Sequence, residues 1–115
     1  MLVLLLVLGV ARPITQQEVC STRWGLDRRH VTTAMKRQVA KRDGVSWTDR
    51  ALYEFDHVIP RELGGADVVD NLKMQLWVDA HKKDLRENAL HRAVCVGSMT
   101  LNAAQAEMVA WYAQP

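Results

Sequence analysis

Apolar residues recur at helical spacing in three stretches of the chain. The pattern predicts helices over about 33–42, from about residue 80 to 96, and from 101 to about 111. Residue types that start or end helices bound each stretch, because hydroxyl side chains cap first turns and glycine terminates last ones. These bounding residues are Thr32, Thr33, Gly44, Gly97 and Thr100.

A different pattern separates the first two helices. Residues 51–59 alternate loosely between apolar and polar and include two aromatics, which predicts a short strand. Pro60 and the Gly64-Gly65 pair predict an irregular loop after it, and residues 68–69 offer a second short strand. The order strand, loop, strand, helix predicts a small α+β domain.

The first eleven residues are apolar without interruption, and the chain turns polar at Arg12. A membrane-spanning helix needs about 20 apolar residues, so no stable membrane insertion is expected. Residues 1–11 fit a secretory signal peptide, which leaves 12–115 as a single domain and predicts a secreted or periplasmic protein. Because the usual basic start of such a peptide is missing, a misassigned start codon or an apolar strand of a cytoplasmic domain are the alternatives.

Cysteine occurs twice, at Cys20 and Cys95, and the spacing fits no common zinc motif. In an oxidising compartment the two would form a disulfide that closes a long loop. In a reducing compartment both would be core residues. The sequence leaves both interpretations open, and it leaves the oligomeric state open as well.

The net charge of +2 is unevenly distributed. Residues 12–43 hold eight Lys or Arg against three Asp or Glu, whereas residues 44–115 hold seven against ten. We therefore expect residues 12–43 to face a polyanion, and nucleic acid is the expected partner. Trp24, in a basic loop of this part, either stacks on a base or packs in the core. The candidate nucleic-acid contacts here are Arg28, Arg29 and Lys36.

The most informative stretch runs from Asp56-His57 through a glycine pair to Asn71 and His81. An acid and a histidine stand side by side, an asparagine follows fourteen residues after that histidine, and a second histidine comes ten residues later. A phosphodiesterase that uses one metal ion needs a base, metal ligands and a group that holds the loop in place. These four side chains supply that set.

Residues 53–90 resemble the HNH endonucleases of the His-Me finger, or ββα-metal, superfamily. The resemblance extends more loosely through Val94-Cys95-Val96-Gly97 and Leu101-Asn102-Ala103-Ala104-Gln105 to small bacterial and phage-encoded proteins of this type. It implies an α+β fold with a ββα-metal core and additional N- and C-terminal helices. It also implies that His57 is the general base, that Asp56 binds the metal and that Asn71 holds the loop. An imidazole with a pKa near its usual value of about 6.5 suits a base at pH 7.

The resemblance further assigns His81 as the second protein ligand of the metal ion. With two protein ligands, water and phosphate complete the coordination, which favours Mg²⁺, although the imidazole would also suit Mn²⁺, Ni²⁺ or Zn²⁺. Relatives often follow the Asn71-Leu72 pair with Trp-Pro, whereas this chain continues with Lys73-Met74, which predicts a reshaped connection to the helix. The candidate phosphate contacts near the motif are Arg61, Lys82 and Lys83.

The expected function is a metal-dependent endonuclease that hydrolyses phosphodiester bonds of DNA. Little sequence specificity is expected, because neither a helix-turn-helix nor a zinc finger accompanies the motif. The alternative is a catalytically inactive nucleic-acid-binding module with the same fold. Asp84 and Glu87, which follow on the same predicted helix as His81, are expected to brace the fold rather than to bind metal.

Overall fold

Residues 9–26 and 29–112 are described by a computed structural model of the chain. Its regular elements are, in chain order, α1 (Gln16–Ser21), α2 (Thr33–Arg42), β1 (Tyr53–His57), β2 (Leu72–Leu76), α3 (Trp77–Cys95) and α4 (Leu101–Trp111). Short 3₁₀ turns lie at Trp47–Leu52, Arg61–Leu63 and Val69–Asn71. The α+β class predicted from the sequence is confirmed.

The two strands form an antiparallel hairpin whose register pairs Tyr53 with Leu76 and His57 with Leu72. Helix α3 begins at Trp77, directly after β2 and about three residues earlier than predicted. The second strand predicted at residues 68–69 is wrong, because Val69–Asn71 form a 3₁₀ turn and the strand that pairs with β1 begins only at Leu72. The alternation that defines β2 buries Leu72 and Met74 against α2.

The predicted starts of α2 and α4 are confirmed at their caps. The Thr32 hydroxyl accepts a hydrogen bond from the Met35 N–H at 3.2 Å, and the Thr100 hydroxyl accepts one from the Ala103 N–H at 3.1 Å. Helix α1 was not predicted, although Thr15-Gln16-Gln17-Glu18 forms a capping box that marks its start. Six residues are too few for a hydrophobic period to appear in the sequence.

Two apolar clusters lie on either side of the hairpin. The larger joins the loop after β1 to α3 and α4, and its buried members are Val10, Ile59, Leu63, Leu90, Val94, Ala104 and Met108. The smaller joins α2 to β2 through Val39, Ala40, Leu72 and Met74. The hairpin and its loop are thus held from both sides, which fixes the residues of the motif in space.

The apolar N-terminal segment reaches the larger cluster at its last residues. The Val10 carbonyl accepts a hydrogen bond from the Ala66 N–H at 2.8 Å, and Ala11 forms an isolated bridge with Gly65. Residues 1–8 of the candidate signal peptide lie outside the described residues, so export stays a prediction. Within residues 9–26 and 29–112, no helix has the length and apolar character needed to cross a membrane.

A disulfide joins Cys20 to Cys95 and ties the end of α1 to the end of α3. The two cysteines are 75 residues apart, so the bond closes most of the domain into one loop. A cross-link of this kind lowers the entropy of the unfolded chain more than that of the folded chain.

We therefore expect the double variant Cys20→Ser/Cys95→Ser to lose about 2–4 kcal/mol of unfolding free energy, measured by urea denaturation. Wild-type protein treated with a reductant should show the same loss, and reductant should leave the double variant unchanged. Equal stability of the oxidised wild type and the double variant would contradict the assignment.

Candidate active site

Asn71 holds both ends of the loop that joins β1 to β2. Its side chain is fully buried, with 0% relative exposure. The carboxamide oxygen accepts from the Ile59 N–H at 2.9 Å, and the carboxamide nitrogen donates to the carbonyls of Ile59 and Ala66, each at 3.0 Å. Gly65 completes the closure, because a Cβ there would lie 1.7 Å from the Ile59 oxygen. One amide side chain therefore shapes the loop.

His57 is the last residue of β1, and the loop brings Asp67 against its imidazole. Asp67 Oδ1 lies 2.8 Å from His57 Nε2. Burial tends to raise the pKa of Asp67, but hydrogen bonds from the His30 N–H and from His57, together with the charge of Arg61, leave this pKa below its usual range. The carboxylate is thus ionised and can only accept, so Nε2 carries the proton and Nδ1 carries the lone pair.

Burial lowers the pKa of His57, and the nearby charge of Arg29 lowers it further, although Asp67 acts in the opposite direction. The imidazole is therefore neutral at pH 7. Arg29 Nη2 lies 3.3 Å from His57 Nδ1 and, with the ring proton on Nε2, donates a hydrogen bond to the Nδ1 lone pair. The guanidinium thus covers the lone pair that a general base uses, and an anion that bound Arg29 would uncover it. Arg28 lies outside the described residues.

Asp56 precedes His57 but binds a separate set of partners. Its Oδ2 atom contacts the Lys83 ammonium at 2.9 Å and accepts a hydrogen bond from the Tyr112 hydroxyl. Within the described part of the chain, no hydrogen bond to the other oxygen, Oδ1, is found. Asp56 therefore has one oxygen held by the protein and one oxygen available to a ligand.

Lys83 is fully buried, with 0% relative exposure. Besides Asp56, its ammonium contacts Glu87 Oε1 at 2.6 Å and donates to the His57 carbonyl at 2.6 Å. All three bonds are to protein groups, so we assign Lys83 to holding the site and not to phosphate contact. Its neighbour Lys82 is exposed and stays a candidate phosphate contact.

A second carboxylate lies near Asp56 on the same strand. Glu54 Oε2 is buried without a hydrogen-bond partner in the described part of the chain. Burial raises the pKa of Glu54, and the charges of Asp56 and Asp84 raise it further. Burial and the charge of Asp56 likewise raise the pKa of Asp84. These carboxylates repel one another, and a cation would relieve that repulsion.

The fit of a divalent metal can be judged from these donors. Over residues 9–26 and 29–112, no group of three His, Cys, Asp or Glu side chains that could hold a metal ion is found. In the described part of the chain, Glu54 Oε2 is buried without a hydrogen-bond partner and no hydrogen bond to Asp56 Oδ1 is found, which suits Mg²⁺, an ion that keeps several waters and uses one or two carboxylates. His81 is exposed on α3, with its ring 6.0 Å from that of Trp77.

The remaining predicted contacts lie around this centre. Arg61 Nε is 3.4 Å from Asp67 Oδ1, so Arg61 helps to fix the acid that orients His57. Lys36 lies on α2 with its ammonium 5.4 Å from the centre of the Phe55 ring. The structure thus places Arg29 next to the imidazole and Arg61 next to Asp67, and it leaves Lys36 and Lys82 farther out.

Three residues of the site were not predicted from the sequence. Asp67 lies ten residues after His57, just past the glycine pair, and contacts the imidazole. An acid that closely follows the loop after a candidate catalytic histidine is the sequence signal by which it could have been predicted. Glu54 stands two residues before Asp56, so strand alternation puts both on one face. Tyr112 gave no sequence signal.

The Lys83 cluster predicts a pH-dependent stability. Burial raises the pKa of Glu87 to about 7, and the charges of Asp56 and Asp84 act in the same direction, although the Lys83 ammonium lowers it. The folded chain therefore keeps a proton over a pH range in which the unfolded chain has lost it, so this group contributes stability at low pH that disappears as the pH rises through 7.

We expect the unfolding free energy of the wild type to fall relative to that of Glu87→Gln by at most about 3 kcal/mol between pH 5 and pH 8. Urea denaturation at matched ionic strength measures this difference. Parallel pH profiles of the two proteins would contradict the raised pKa.

No protein-family model, curated protein or solved structure matches this chain. The likeness to HNH endonucleases therefore rests on the motif residues themselves, and the function proposed below rests on the geometry around His57.

Proposed function

We propose that this protein is a metal-dependent endonuclease that hydrolyses phosphodiester bonds of DNA, with His57 as the general base. The observation that carries the proposal is the His57–Asp67 pair. Its 2.8 Å contact fixes the proton on Nε2 and leaves the Nδ1 lone pair next to the guanidinium of Arg29. A neutral, oriented imidazole beside a phosphate-binding group is what hydrolysis of a phosphodiester requires.

In the proposed reaction, Arg29 exchanges its hydrogen bond to His57 Nδ1 for non-bridging oxygens of the scissile phosphate, and a water molecule takes its place between Nδ1 and phosphorus. His57 takes a proton from the water as the new oxygen–phosphorus bond forms and the bond from phosphorus to the 3′ oxygen breaks. Asp67 stabilises the resulting imidazolium through Nε2–H. The leaving oxygen takes a proton from solvent, which gives a 5′-phosphate and a 3′-hydroxyl.

The metal site belongs to the same proposal. Asp56 and Glu54 of β1 would hold the ion, and β1, β2 and α3 would then form a ββα-metal core. The predicted ligand His81 lies on α3 but completes no metal-binding group with them in the described part of the chain, so water and substrate phosphate would fill the other positions. When bound, a divalent ion supplies charge stabilisation at the phosphate and the leaving oxygen. Mg²⁺ fits the oxygen donors, and an imidazole ligand would extend the choice to Mn²⁺, Ni²⁺ or Zn²⁺.

A catalytically inactive nucleic-acid-binding module is the second candidate, and one observation favours it. Lys83 already compensates the charge of Asp56 at 2.9 Å, which lowers the attraction of this carboxylate for a metal ion. Such a module would use the same cations to bind phosphates without turnover. Metal-dependent cleavage separates the two candidates.

Nicking of supercoiled plasmid by the full chain, with Mg²⁺ or Mn²⁺ and with EDTA, tests the proposal. We expect metal-dependent nicking that His57→Ala lowers by roughly 10²- to 10⁴-fold, because it removes the general base. Asp67→Asn should also lower the rate, because the amide cannot stabilise the imidazolium.

The matched control is His91→Ala, which removes a histidine of α3 whose Nε2 lies 3.2 Å from the Val19 carbonyl and which has no role in the proposed site. This variant should nick like the wild type. Retardation of the plasmid without nicking under either metal would reject the endonuclease and support the binding module.

A further inference from the structure

Two adjoining concavities on the hairpin form one groove. Their volumes are about 380 and 440 Å³, and both are lined by Lys36, Tyr53, Phe55 and Trp77. Arg29 lines one of them and Arg50 lines the other. We call this surface the aromatic groove, defined by these six residues. The nuclease chemistry proposed above uses only its Arg29 end.

Trp77 gives the groove a fixed apolar surface. Its side chain is large and apolar, yet the residue is 45% exposed. The indole N–H donates to the Ala51 carbonyl at 2.9 Å, which holds the ring against the end of the 3₁₀ turn at Trp47–Leu52. An exposed ring that is already held in place loses little entropy when a flat ligand stacks on it.

The rim of the groove is basic. Lys36 lies over the Phe55 ring at 5.4 Å, and Arg50 lies over the Trp47 ring at 4.6 Å. Glu54 is the one acid among the described lining residues. A ligand that suits this groove has flat rings for the floor and negative charge for the rim, and nucleotides combine the two.

Arg29 joins the aromatic groove to the candidate active site. It lines the groove, and its guanidinium is 3.3 Å from His57 Nδ1. A strand whose phosphate is bound by Arg29 next to His57 therefore enters the groove with its adjoining nucleotides.

We propose that the aromatic groove binds unpaired nucleotides next to the scissile phosphate, so that the substrate is single-stranded or locally unpaired nucleic acid. Bases in a duplex cover their faces with neighbouring bases, whereas unpaired bases offer those faces to Trp77. This inference deepens the proposed function and rests on it for the position of the scissile phosphate.

Binding of a fluorescein-labelled 12-nucleotide DNA, single-stranded or annealed to its complement, tests the inference. The measurement uses the full-length His57→Ala variant in EDTA, so that no cleavage occurs, and reads fluorescence anisotropy. We expect the single strand to bind at least about tenfold more tightly than the duplex. Adding Trp77→Ala should weaken single-strand binding roughly tenfold, and adding Trp77→Phe should keep most of it.

A matched pair of charge variants on α2 completes the test. Lys36→Gln should weaken single-strand binding, whereas Lys41→Gln, which removes the same charge from an exposed position outside the groove, should have a much smaller effect. Thermal melts of all variants check that the fold is kept.

The outcomes separate this inference from the nuclease proposal. Tight single-strand binding that depends on Trp77 and Lys36, in a protein that nicks no plasmid, would support the groove and reject the nuclease. Plasmid nicking with equal affinity for both DNA forms, and without an effect of Trp77→Ala, would reject the groove and leave the nuclease standing.

Discussion

The site depends on one buried amide, that of Asn71. Its three hydrogen bonds to the backbone of Ile59 and Ala66 close the loop after β1, and the closed loop carries Asp67 to the imidazole of His57. The Asn71 carbonyl also accepts from the Val58 N–H at 2.7 Å, which sets the point at which β2 begins. The orientation of the proposed base and the pairing of His57 with Leu72 at the end of the hairpin follow from this closure. Because the amide is fully buried, losing a partner would leave polar groups unsatisfied in the interior.

Asp56, the neighbour of His57 on β1, lies in a cluster of charged side chains that partly compensate one another. Lys83 lies between Asp56 and Glu87, and burial favours the protonated form of Glu87, so the ammonium mainly compensates the charge of Asp56. Glu54 adds a further carboxylate nearby, and burial raises its pKa. Under the proposed function, a Mg²⁺ ion that binds here together with substrate phosphate would relieve the remaining repulsion, and the charge that Lys83 already compensates would make its binding weak.

Short-range sequence signals predicted those parts of the fold that are determined by interactions within a few residues. The caps Thr32 and Thr100 and the loop before Asn71 could be identified because each acts within a few residues. Contacts between distant residues could not be identified in this way. Tyr112 meets Asp56 across 56 residues, and only the packing of α4 brings them together. Lys83 was predicted, with Lys82, as a phosphate contact, but it shares a helical phase with Ala80 and Leu90 and so points into the interior. The second strand was misplaced for a related reason, since Val68 and Val69 have β propensity but lie where Asn71 bends the chain.

We propose that His57 is a neutral base whose proton is held on Nε2 by Asp67. Nitrogen-15 NMR of the histidine rings over a pH titration measures both properties, because the two ring nitrogens identify the tautomer and the titration gives the pKa. We expect the Nε2–H tautomer at pH 7, a pKa for His57 below the usual value of about 6.5, and loss of the tautomer preference in Asp67→Asn. A proton on Nδ1 at pH 7, or a pKa above the usual value, would show that His57 is not such a base.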